Sequence, residues 1–421
     1  MVAQTHSLSR SEVRPRVLAP AFAAVLLFFA AWSLLHFGFY RHNHILDTPV
    51  YQRYGDAIWN GDVPYRDFAV EYPPGALPMF AIPALAKTGE GQIVSSGFKA
   101  AFETMMWLCG VAMLFGMAIA LRALRADGRR LWAALAFSAL APLALGSVML
   151  SRFDLWPIAF VVAALAALVA DRLRLGSGLL GLGIAVKIFP GVFVPLALAY
   201  VWRRCGRREA VVCAAIVCTA VAVIFLPFVA LSPGGVLHSL TGQLSRPLQI
   251  ESLGSALLLA AHHAWGYRVT MESSHGSQNL VGHGPHVAAT VLSVLQVIAL
   301  LAVWVVFARG PATRERLVLA SGAALTAFIA FAKVFSPQFL VWLIPVVPLV
   351  RGRRGLVSSA VLGVSLVLTQ LWFPFRYWKL VNDFAPLPSW LVLARDVLML
   401  ALFAMLLSGL VEQPRAVRRR A

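Results

Sequence analysis

Long apolar runs separated by short clusters of arginine repeat along almost the whole chain. A helix of about 20 apolar residues spans the hydrocarbon core of a bilayer, which is roughly 30 Å thick. The pattern therefore predicts an all-α polytopic membrane protein with about twelve transmembrane helices, in a single domain over residues 1–421. The clearest runs cover about 17–39, 98–121, 131–148, 155–170, 210–231, 286–308, 356–373 and 390–411.

The arginine clusters indicate the orientation, because the cytoplasmic loops of membrane proteins carry an excess of basic residues. They predict two cytoplasmic tails, at 1–16 and 412–421. They also predict two long extracytoplasmic segments, at 40–97 and 232–285. Each long segment contains an apolar stretch that is too short to cross, at 76–86 and at 253–261. We expect both stretches to form helices that lie in the membrane interface.

Two further apolar segments lie between arginine clusters that are too close for two full crossings. Only 28 residues separate Arg174 from Arg203, which leaves about 20 Å of helix for each direction. The segment 317–350 repeats this arrangement. We therefore predict two short hairpins that start and end at the cytoplasmic face, with Lys187 and Lys333 at their tips, just below the outer surface.

Composition agrees with a membrane protein and excludes several classes of function. Of the 421 residues, 60% are hydrophobic and 13% are charged, with a mean hydropathy of +0.77, whereas soluble domains have about a quarter charged residues. The net charge of +18 would suggest a nucleic-acid partner in a soluble protein. Because the basic residues follow the positive-inside rule, we expect no nucleic acid. The four cysteines lie in apolar runs or beside arginine clusters, which predicts no structural disulfide.

The stretch 41–75 is the most polar part of the chain and directly follows the first apolar run. A carboxylate that lies over a membrane pocket can act as a general base and take the proton of an acceptor hydroxyl. Asp47 is the first candidate, because it follows the first helix by only about eight residues and stays near the membrane surface. The carboxylates of this stretch are Asp47, Asp56, Asp62, Asp67 and Glu71.

The remaining carboxylates of this stretch favour structural roles, with one exception. Asp56 would share a helix face with a neighbouring arginine, which indicates a surface ion pair. Asp62 and Asp67 flank glycine and proline, which indicates hydrogen bonds within turns. Glu71 and Tyr72 precede two prolines that stiffen the backbone, so both side chains would be held in fixed positions beside the site.

Cationic side chains are predicted near the same outer face. A half-buried cation costs several kcal/mol unless it is paired or hydrated, so Lys187 and Lys333 need anionic partners. These partners are either Asp154 and Glu251, in structural ion pairs, or the phosphate of a ligand, which suits the compact charge of lysine. The outer face gathers Asp154, Lys187, Arg246, Glu251, Lys333 and Gln338.

Five histidines lie close together in the second long segment and at its end. Imidazole is a common ligand of zinc and copper, but these spacings match no zinc signature. We therefore expect no metal and no other cofactor. The histidines are His262, His263, His275, His283 and His286.

Four stretches, taken in order, resemble one known family. They are the pattern of Asp47, Tyr51, Gly61, Pro64, Tyr65 and Tyr72-Pro73-Pro74; GLGIAVKIFPGVFVPLAL around Lys187; SRPLQIESL around Arg246; and FAKVFSPQFLVWLIP from Phe331 to Pro345. Together they resemble the C-type glycosyltransferases (GT-C), and most closely family 87. This family comprises bacterial polyprenyl-phosphate-mannose-type transferases, including mannosyl- and arabinosyltransferases. The resemblance extends from the first helix to the last.

The resemblance implies a GT-C-like fold with a large first outer loop and a sugar donor linked to polyprenyl phosphate. It also implies inversion at the sugar carbon, with a carboxylate of the first loop as base. That role is carried over to Asp47, with Glu71 as the alternative, and contact with the donor phosphate to Lys187, Lys333 and Arg246. The residues expected to position substrate are Tyr72, Asp154, Glu251 and Gln338.

We therefore expect a glycosyltransferase of the plasma membrane with both termini in the cytoplasm. It would transfer mannose or arabinose to a hydroxyl of a lipid or polysaccharide on the outer face, in contact with membrane lipid. The alternative is a flippase or transporter of lipid-linked sugars, because charged residues within the membrane also mark transport paths. Transporters often contain inverted repeats, which this sequence lacks, and its charged candidates gather on one face.

Overall fold

The computed structural model of the protein describes residues 15–41, 45–86 and 94–418. Helices dominate, because backbone polar groups inside a bilayer must be satisfied within their own segment. In chain order they are α1 (Pro15–Leu34), α2 (Thr48–Trp59), α3 (Pro78–Ala84), α4 (Ser96–Ala123), α5 (Gly128–Leu145), α6 (Ser147–Ser151), α7 (Leu155–Val169), α8 (Leu173–Val186), α9 (Val194–Leu231), α10 (Pro233–Leu244), α11 (Leu253–Trp265), α12 (His283–Arg309), α13 (Arg314–Ala330), α14 (Phe339–Leu343), α15 (Gly352–Trp372), α16 (Tyr377–Asp383) and α17 (Pro386–Arg418).

Short 3₁₀ turns and one small sheet complete the described secondary structure. The 3₁₀ turns cover Gly38–Arg41, Pro74–Ala76, Phe189–Phe193 and Val347–Leu349. The strands are β1 (Leu248–Gln249), β2 (Thr270–Ser274) and β3 (Ser277–Val281), and all pairs are antiparallel in the order β1-β3-β2. The all-α polytopic class is therefore confirmed, with a small sheet that the apolar pattern did not predict.

Within the described part of the chain, five helical segments are long and apolar enough to cross a membrane: Ser96–Ala123, Phe189–Leu231, His283–Arg309, Gly352–Trp372 and Pro386–Glu412. Several shorter apolar helices accompany them, including α7 and α8. The protein is a multi-pass membrane protein, and the figure of about twelve crossings stays a prediction. The helix α17 continues into the predicted tail 412–421, whereas most of the tail 1–16 lies outside the described residues.

The first predicted hairpin is formed by α8 and the beginning of α9. Lys187 follows α8 in an extended conformation, and a 3₁₀ turn that includes Pro190 leads into α9. Gly206 interrupts α9 with a φ of 85°, so this long element consists of two helices joined at a kink. The kink lies within the predicted cytoplasmic arginine cluster, where the hairpin was expected to end.

The second predicted hairpin is less regular than the sequence indicates. Its outgoing arm is α13, and residues 331–338 form an irregular tip that carries Lys333. The returning arm is not one helix over 338–350: it consists of the single turn α14 and a separate 3₁₀ turn at Val347–Leu349. Pro345 and Pro348 explain the break, because proline lacks an N–H group and blocks the preceding helical turn.

The two predicted extracytoplasmic segments are structured and lie beside each other. In the first, α2 packs on α3, and α3 packs on α4. In the second, α10 and α11 flank the sheet, and a tight turn at His275 and Gly276, both with positive φ, joins β2 to β3. The hydroxyl of Ser232 donates a hydrogen bond of 2.9 Å to the carbonyl of Tyr65, which ties the second segment to the first. Residues 42–44 and 87–93, within the predicted loop 40–97, lie outside the described residues.

Candidate active site

Asp47 lies at the start of α2, where it forms an ion pair with Arg152. Its Oδ2 atom is 2.9 Å from Nε of Arg152, and the hydroxyl of Tyr51 donates a hydrogen bond of 3.4 Å to the same oxygen. The side chain of Arg152 is 7% exposed, whereas that of Asp47 is 32% exposed. The carboxylate of Asp47 is therefore held by a buried guanidinium group, while part of its own side chain remains exposed.

Arg152 is a further residue of the candidate site, and the sequence patterns above do not single it out. It lies in the bend between α6 and α7, two residues before Asp154, on the side predicted to be outside. Arginine in a short outer turn goes against the positive-inside rule. That exception was the signal that could have identified Arg152.

Aromatic rings form the floor beneath this ion pair. Tyr51 stacks on Phe80 at 4.8 Å between ring centroids, and Tyr72 meets Phe153 edge to face at 4.8 Å. Tyr72 is also fixed through its backbone, because its carbonyl accepts a hydrogen bond of 2.6 Å from the hydroxyl of Tyr65. Burial is the main cause that raises the pKa of Tyr72 well above its usual value, and the negative charge of Asp47 is the second. Tyr72 therefore stays neutral and can donate a hydrogen bond beside Asp47.

Glu71 faces the second segment rather than Arg152. Its backbone carbonyl accepts a hydrogen bond of 3.2 Å from Nε2 of Gln243, and Gly276 of the β2–β3 turn lies next to its carboxylate. Glu71 is an exposed residue, but enough protein surrounds its carboxyl group for desolvation to raise its pKa. Arg246 opposes this shift and Asp47 adds to it, so the two candidate bases interact electrostatically.

Arg246 and Lys333 line the same cavity, which has a volume of 400 Å³ and also includes His286. Nζ of Lys333 donates a hydrogen bond of 2.7 Å to the carbonyl of Leu244, and the buried Nε of Arg246 has no hydrogen-bond partner. Within the described part of the chain, neither cation has a carboxylate within 4.0 Å. Two cations without a carboxylate at one cavity are suited to binding an anion.

Lys187 has a different environment from Lys333. Its Nζ atom is 2.6 Å from Oδ1 of Asp154, and the indole of Trp342 donates a hydrogen bond of 2.6 Å to the same oxygen. The ammonium group lies 4.7 Å from the ring centroid of Phe153 and 5.3 Å from that of Trp342. Of the two alternatives for Lys187, the structure therefore shows the ion pair with Asp154, inside an aromatic cage.

Glu251 lies in a buried polar network instead of pairing with Lys333. Its carboxylate accepts a hydrogen bond from the side chain of Gln249, and Nη2 of Arg395 donates to its backbone carbonyl. Burial raises the pKa of Glu251 to about 8, against the opposing effect of Arg395. Gln338 is not part of this network; it lies at the start of α14, half-buried.

The clustered histidines do not assemble into a metal site. His262 and His263 end α11, His275 lies in the β2–β3 turn, and His283 and His286 begin α12. Across residues 15–41, 45–86 and 94–418, no group of three or more His, Cys, Asp or Glu side chains is arranged to hold a metal ion.

The fold and this candidate site define a multi-pass membrane protein with an arginine-paired carboxylate and a cavity lined by two cations. The chain matches glycosyltransferase family 87 over residues 70–337, and it belongs to that family. The match confirms the resemblance found in the sequence, and the protein is a membrane glycosyltransferase. No curated protein matches the chain.

Two solved structures are similar to the chain at low sequence identity. ArnT from Cupriavidus metallidurans, in the apo state, is 13% identical with a TM-score of 0.46, over 95% of this chain and 78% of ArnT. The Archaeoglobus fulgidus oligosaccharyltransferase, in complex with Zn and sulfate, is 15% identical with a TM-score of 0.38. That similarity covers 91% of this chain and 53% of the oligosaccharyltransferase.

Proposed function

We propose that the protein transfers a sugar from a polyprenyl-phosphate donor to a hydroxyl group of a lipid or polysaccharide on the outer face of the plasma membrane. The sugar is mannose or arabinose. The observation that carries the proposal is the cavity of 400 Å³ with Arg246 and Lys333, in a member of family 87. The cavity offers two cations to a phosphate, and the ion pair of Asp47 with Arg152 supplies a fixed carboxylate.

In the proposed reaction, the oxygen of the acceptor hydroxyl attacks the anomeric carbon of the sugar while Asp47 takes the proton of that hydroxyl. The bond from that carbon to the phosphate oxygen breaks, and polyprenyl phosphate leaves with the bonding electrons, so the configuration at the carbon inverts. Arg246 and Lys333 stabilise the negative charge that grows on the leaving phosphate. Arg152 orients the Asp47 carboxylate before the acceptor binds.

The other candidate residues support this centre in different ways. Tyr72 borders the Asp47 carboxylate and positions the acceptor. Lys187 is paired with Asp154 and contacts the ring of Phe153. In this mechanism it therefore stabilises the aromatic cluster beside the site and does not bind the phosphate directly. Glu71 is the alternative base, because it shares the electrostatic environment of Asp47 and Arg246.

The first test is transfer of radiolabelled sugar by membranes that contain either the wild type or Asp47→Asn. A panel of polyprenyl-phosphate sugars serves as donors, and native lipid extract serves as acceptor. Loss of a positioned general base lowers turnover by about 10²- to 10⁴-fold, so we expect a labelled product from one donor and almost none with Asp47→Asn. Asp62→Asn is the matched control, because Asp62 is an exposed residue of the same segment.

Equal transfer by Asp47→Asn and wild type would show that Asp47 is not the base, and Glu71→Gln would then be assayed in the same way. Absence of product from every donor, with correctly folded protein, would contradict the proposed reaction. A liposome assay for flipping of lipid-linked sugars would then examine the transporter alternative.

A further inference from the structure

Arg395 is a charged residue in the middle of an apolar helix, and the proposed reaction does not use it. It lies in α17 with 0% of its side chain exposed, and its Nε atom is 2.7 Å from Oδ1 of Asp396. A charge within a transmembrane segment is costly and is retained only where it has a partner and a role. The contacts of its guanidinium group indicate that role.

The guanidinium group of Arg395 contacts both segments that carry the cations of the 400 Å³ cavity. It donates a hydrogen bond to the backbone carbonyl of Glu251, which follows Arg246 by five residues. It also stacks over the ring of Phe335 at 3.7 Å from the centroid, and Phe335 follows Lys333 by two residues. A single buried side chain of α17 therefore contacts both segments that carry the cavity's cations.

Direct hydrogen bonds join the same two segments into one unit. The amide of Gln249 donates to the carbonyl of Lys333 at 3.0 Å, and the side chain of Gln249 donates to Oγ of Ser336 at 2.9 Å. In the opposite direction, Nζ of Lys333 donates to the carbonyl of Leu244 at 2.7 Å. These hydrogen bonds hold the segments of Arg246 and Lys333 together as a rigid frame, and Arg395 contacts that frame on its buried side.

We propose that Arg395 is a positioning residue of the donor-phosphate site, and that it sets the distance between Arg246 and Lys333. Two like charges at one cavity repel each other before an anion binds, so a rigid frame is needed to hold both toward the phosphate. Arg395 supplies it through Glu251 and Phe335 without touching substrate. This inference rests on the proposed function, because it requires that the two cations bind the phosphate of the donor.

The variants separate positioning from a general effect on folding. Arg395→Met keeps a long apolar side chain but removes the contact with the Glu251 carbonyl, and Arg395→Lys keeps the charge and one donor. Arg316→Met is the matched control, because Arg316 is also fully buried and donates to two carbonyls, those of Leu410 and Val306. If Arg395→Met does not fold, because Asp396 is left unpaired, the double variant Arg395→Met/Asp396→Leu replaces it.

The first measurement is hydrogen–deuterium exchange of the purified protein without ligand, followed over residues 246–252. We expect faster exchange at Gln249 and Ile250 in Arg395→Met, and wild-type exchange there in Arg316→Met. The second measurement is binding of polyprenyl monophosphate. Loss of a hydrogen bond from a charged donor corresponds to about a tenfold loss of affinity, which we expect for Arg395→Met and not for Arg316→Met, with Arg395→Lys within about threefold of wild type.

In the transfer assay, Arg395→Met should raise the KM for the donor more than it lowers kcat, which a loss of stability alone would not produce. Unchanged exchange over residues 246–252, or unchanged phosphate affinity with faster exchange, would overturn the positioning role while leaving the proposed function intact. If the wild type itself does not bind polyprenyl monophosphate, the proposed donor site is wrong, and the role of Arg395 falls with it.

Discussion

Lys187 and Asp154 form a nearly buried ion pair, with side chains 16% and 2% exposed. Removing one partner of such a pair leaves an uncompensated charge, which costs about 3–5 kcal/mol. We therefore expect Lys187→Met to lower the unfolding temperature strongly in detergent, and Lys187→Met/Asp154→Leu to recover most of the stability. Donor affinity separates this role from phosphate binding. If Lys187 contacts the donor phosphate, the double variant would be stable but would lose affinity for the donor, and Lys187 would belong to the phosphate site.

The carboxyl group of Glu251 predicts a specific dependence of stability on pH. Burial raises its pKa to about 8 from a usual value of 4.5, so between these values the folded protein keeps a proton that the unfolded chain releases. The contribution of this group to stability is therefore complete below about pH 4.5 and is lost as the pH rises through 8.

Thermal unfolding of the wild type and Glu251→Gln, measured at pH 5, 6.5 and 8.5, checks this dependence. The unfolding temperature of the wild type should fall relative to that of the variant as the pH rises, because glutamine cannot ionise. The slope corresponds to roughly 1.4 kcal/mol per pH unit between the two pKa values. Parallel curves for the two proteins would show that Glu251 is ionised in the folded state.

The contact between the first outer segment and α8 depends on a glycine. A Cβ atom added to Gly75 would lie 2.6 Å from the carbonyl oxygen of Ala185, and because the obstacle is backbone, one of the two elements must move. We expect Gly75→Ala to cost about 1–3 kcal/mol of stability. Sugar transfer should also fall, because Gly75 lies three residues from Tyr72 at the site.

Gly191→Ala is the control for this element contact. Gly191 lies in the turn between α8 and α9, and an added Cβ would meet no atom within 4 Å. Unfolding temperature and transfer rate are measured for both variants. Equal values for Gly75→Ala and Gly191→Ala would mean that the first segment does not depend on its close approach to α8.

Elements governed by local patterns could be predicted from the sequence, and those governed by distant pairing could not. The run 98–121 predicted α4, which covers Ser96–Ala123, because an apolar run of that length has one stable conformation in a bilayer. The strand β1 has only two residues and pairs with β3 some 30 positions later, so no local pattern reveals it. The apolar pattern predicted a returning arm over 338–350, but Pro345 and Pro348 divide that arm into α14 and a 3₁₀ turn.

The candidate site divides in the same way. Positive-inside reasoning placed Asp47, Lys333 and Arg246 on one predicted face. The need of a buried cation for a partner gave the pair of Lys187 with Asp154 as one of two alternatives, beside a ligand phosphate, and could not choose between them. The ion pair of Asp47 with Arg152 joins residues that are 105 positions apart. Only the packing of α2 against the α6–α7 bend brings them within 2.9 Å, so the sequence alone could not provide this contact.

Over the whole molecule, the distribution of basic residues predicts an orientation in the membrane. Arginine clusters lie near the C-terminal ends of α4 and α12 and at the Gly206 kink inside α9, and the positive-inside rule predicts that all three are cytoplasmic. The proposed function requires the site to face outward, so the two faces of the protein must react differently with a reagent that cannot cross the membrane. The exposed Cys205 lies in a cluster predicted to be cytoplasmic, and the exposed Glu272 of β2 lies in the segment predicted to be extracytoplasmic.

Labelling of intact cells with a membrane-impermeant maleimide tests this orientation. In a Cys205→Ala background, Glu272→Cys should be labelled without permeabilisation, because its thiol would lie in the outer aqueous phase. The native Cys205, which neighbours the Gly206 kink and its arginines, should be labelled only after the cells are opened. The opposite pattern would place the site in the cytoplasm, where the donor phosphate would have to be bound from the inner leaflet, and it would reverse the proposed orientation without changing the residues of the site.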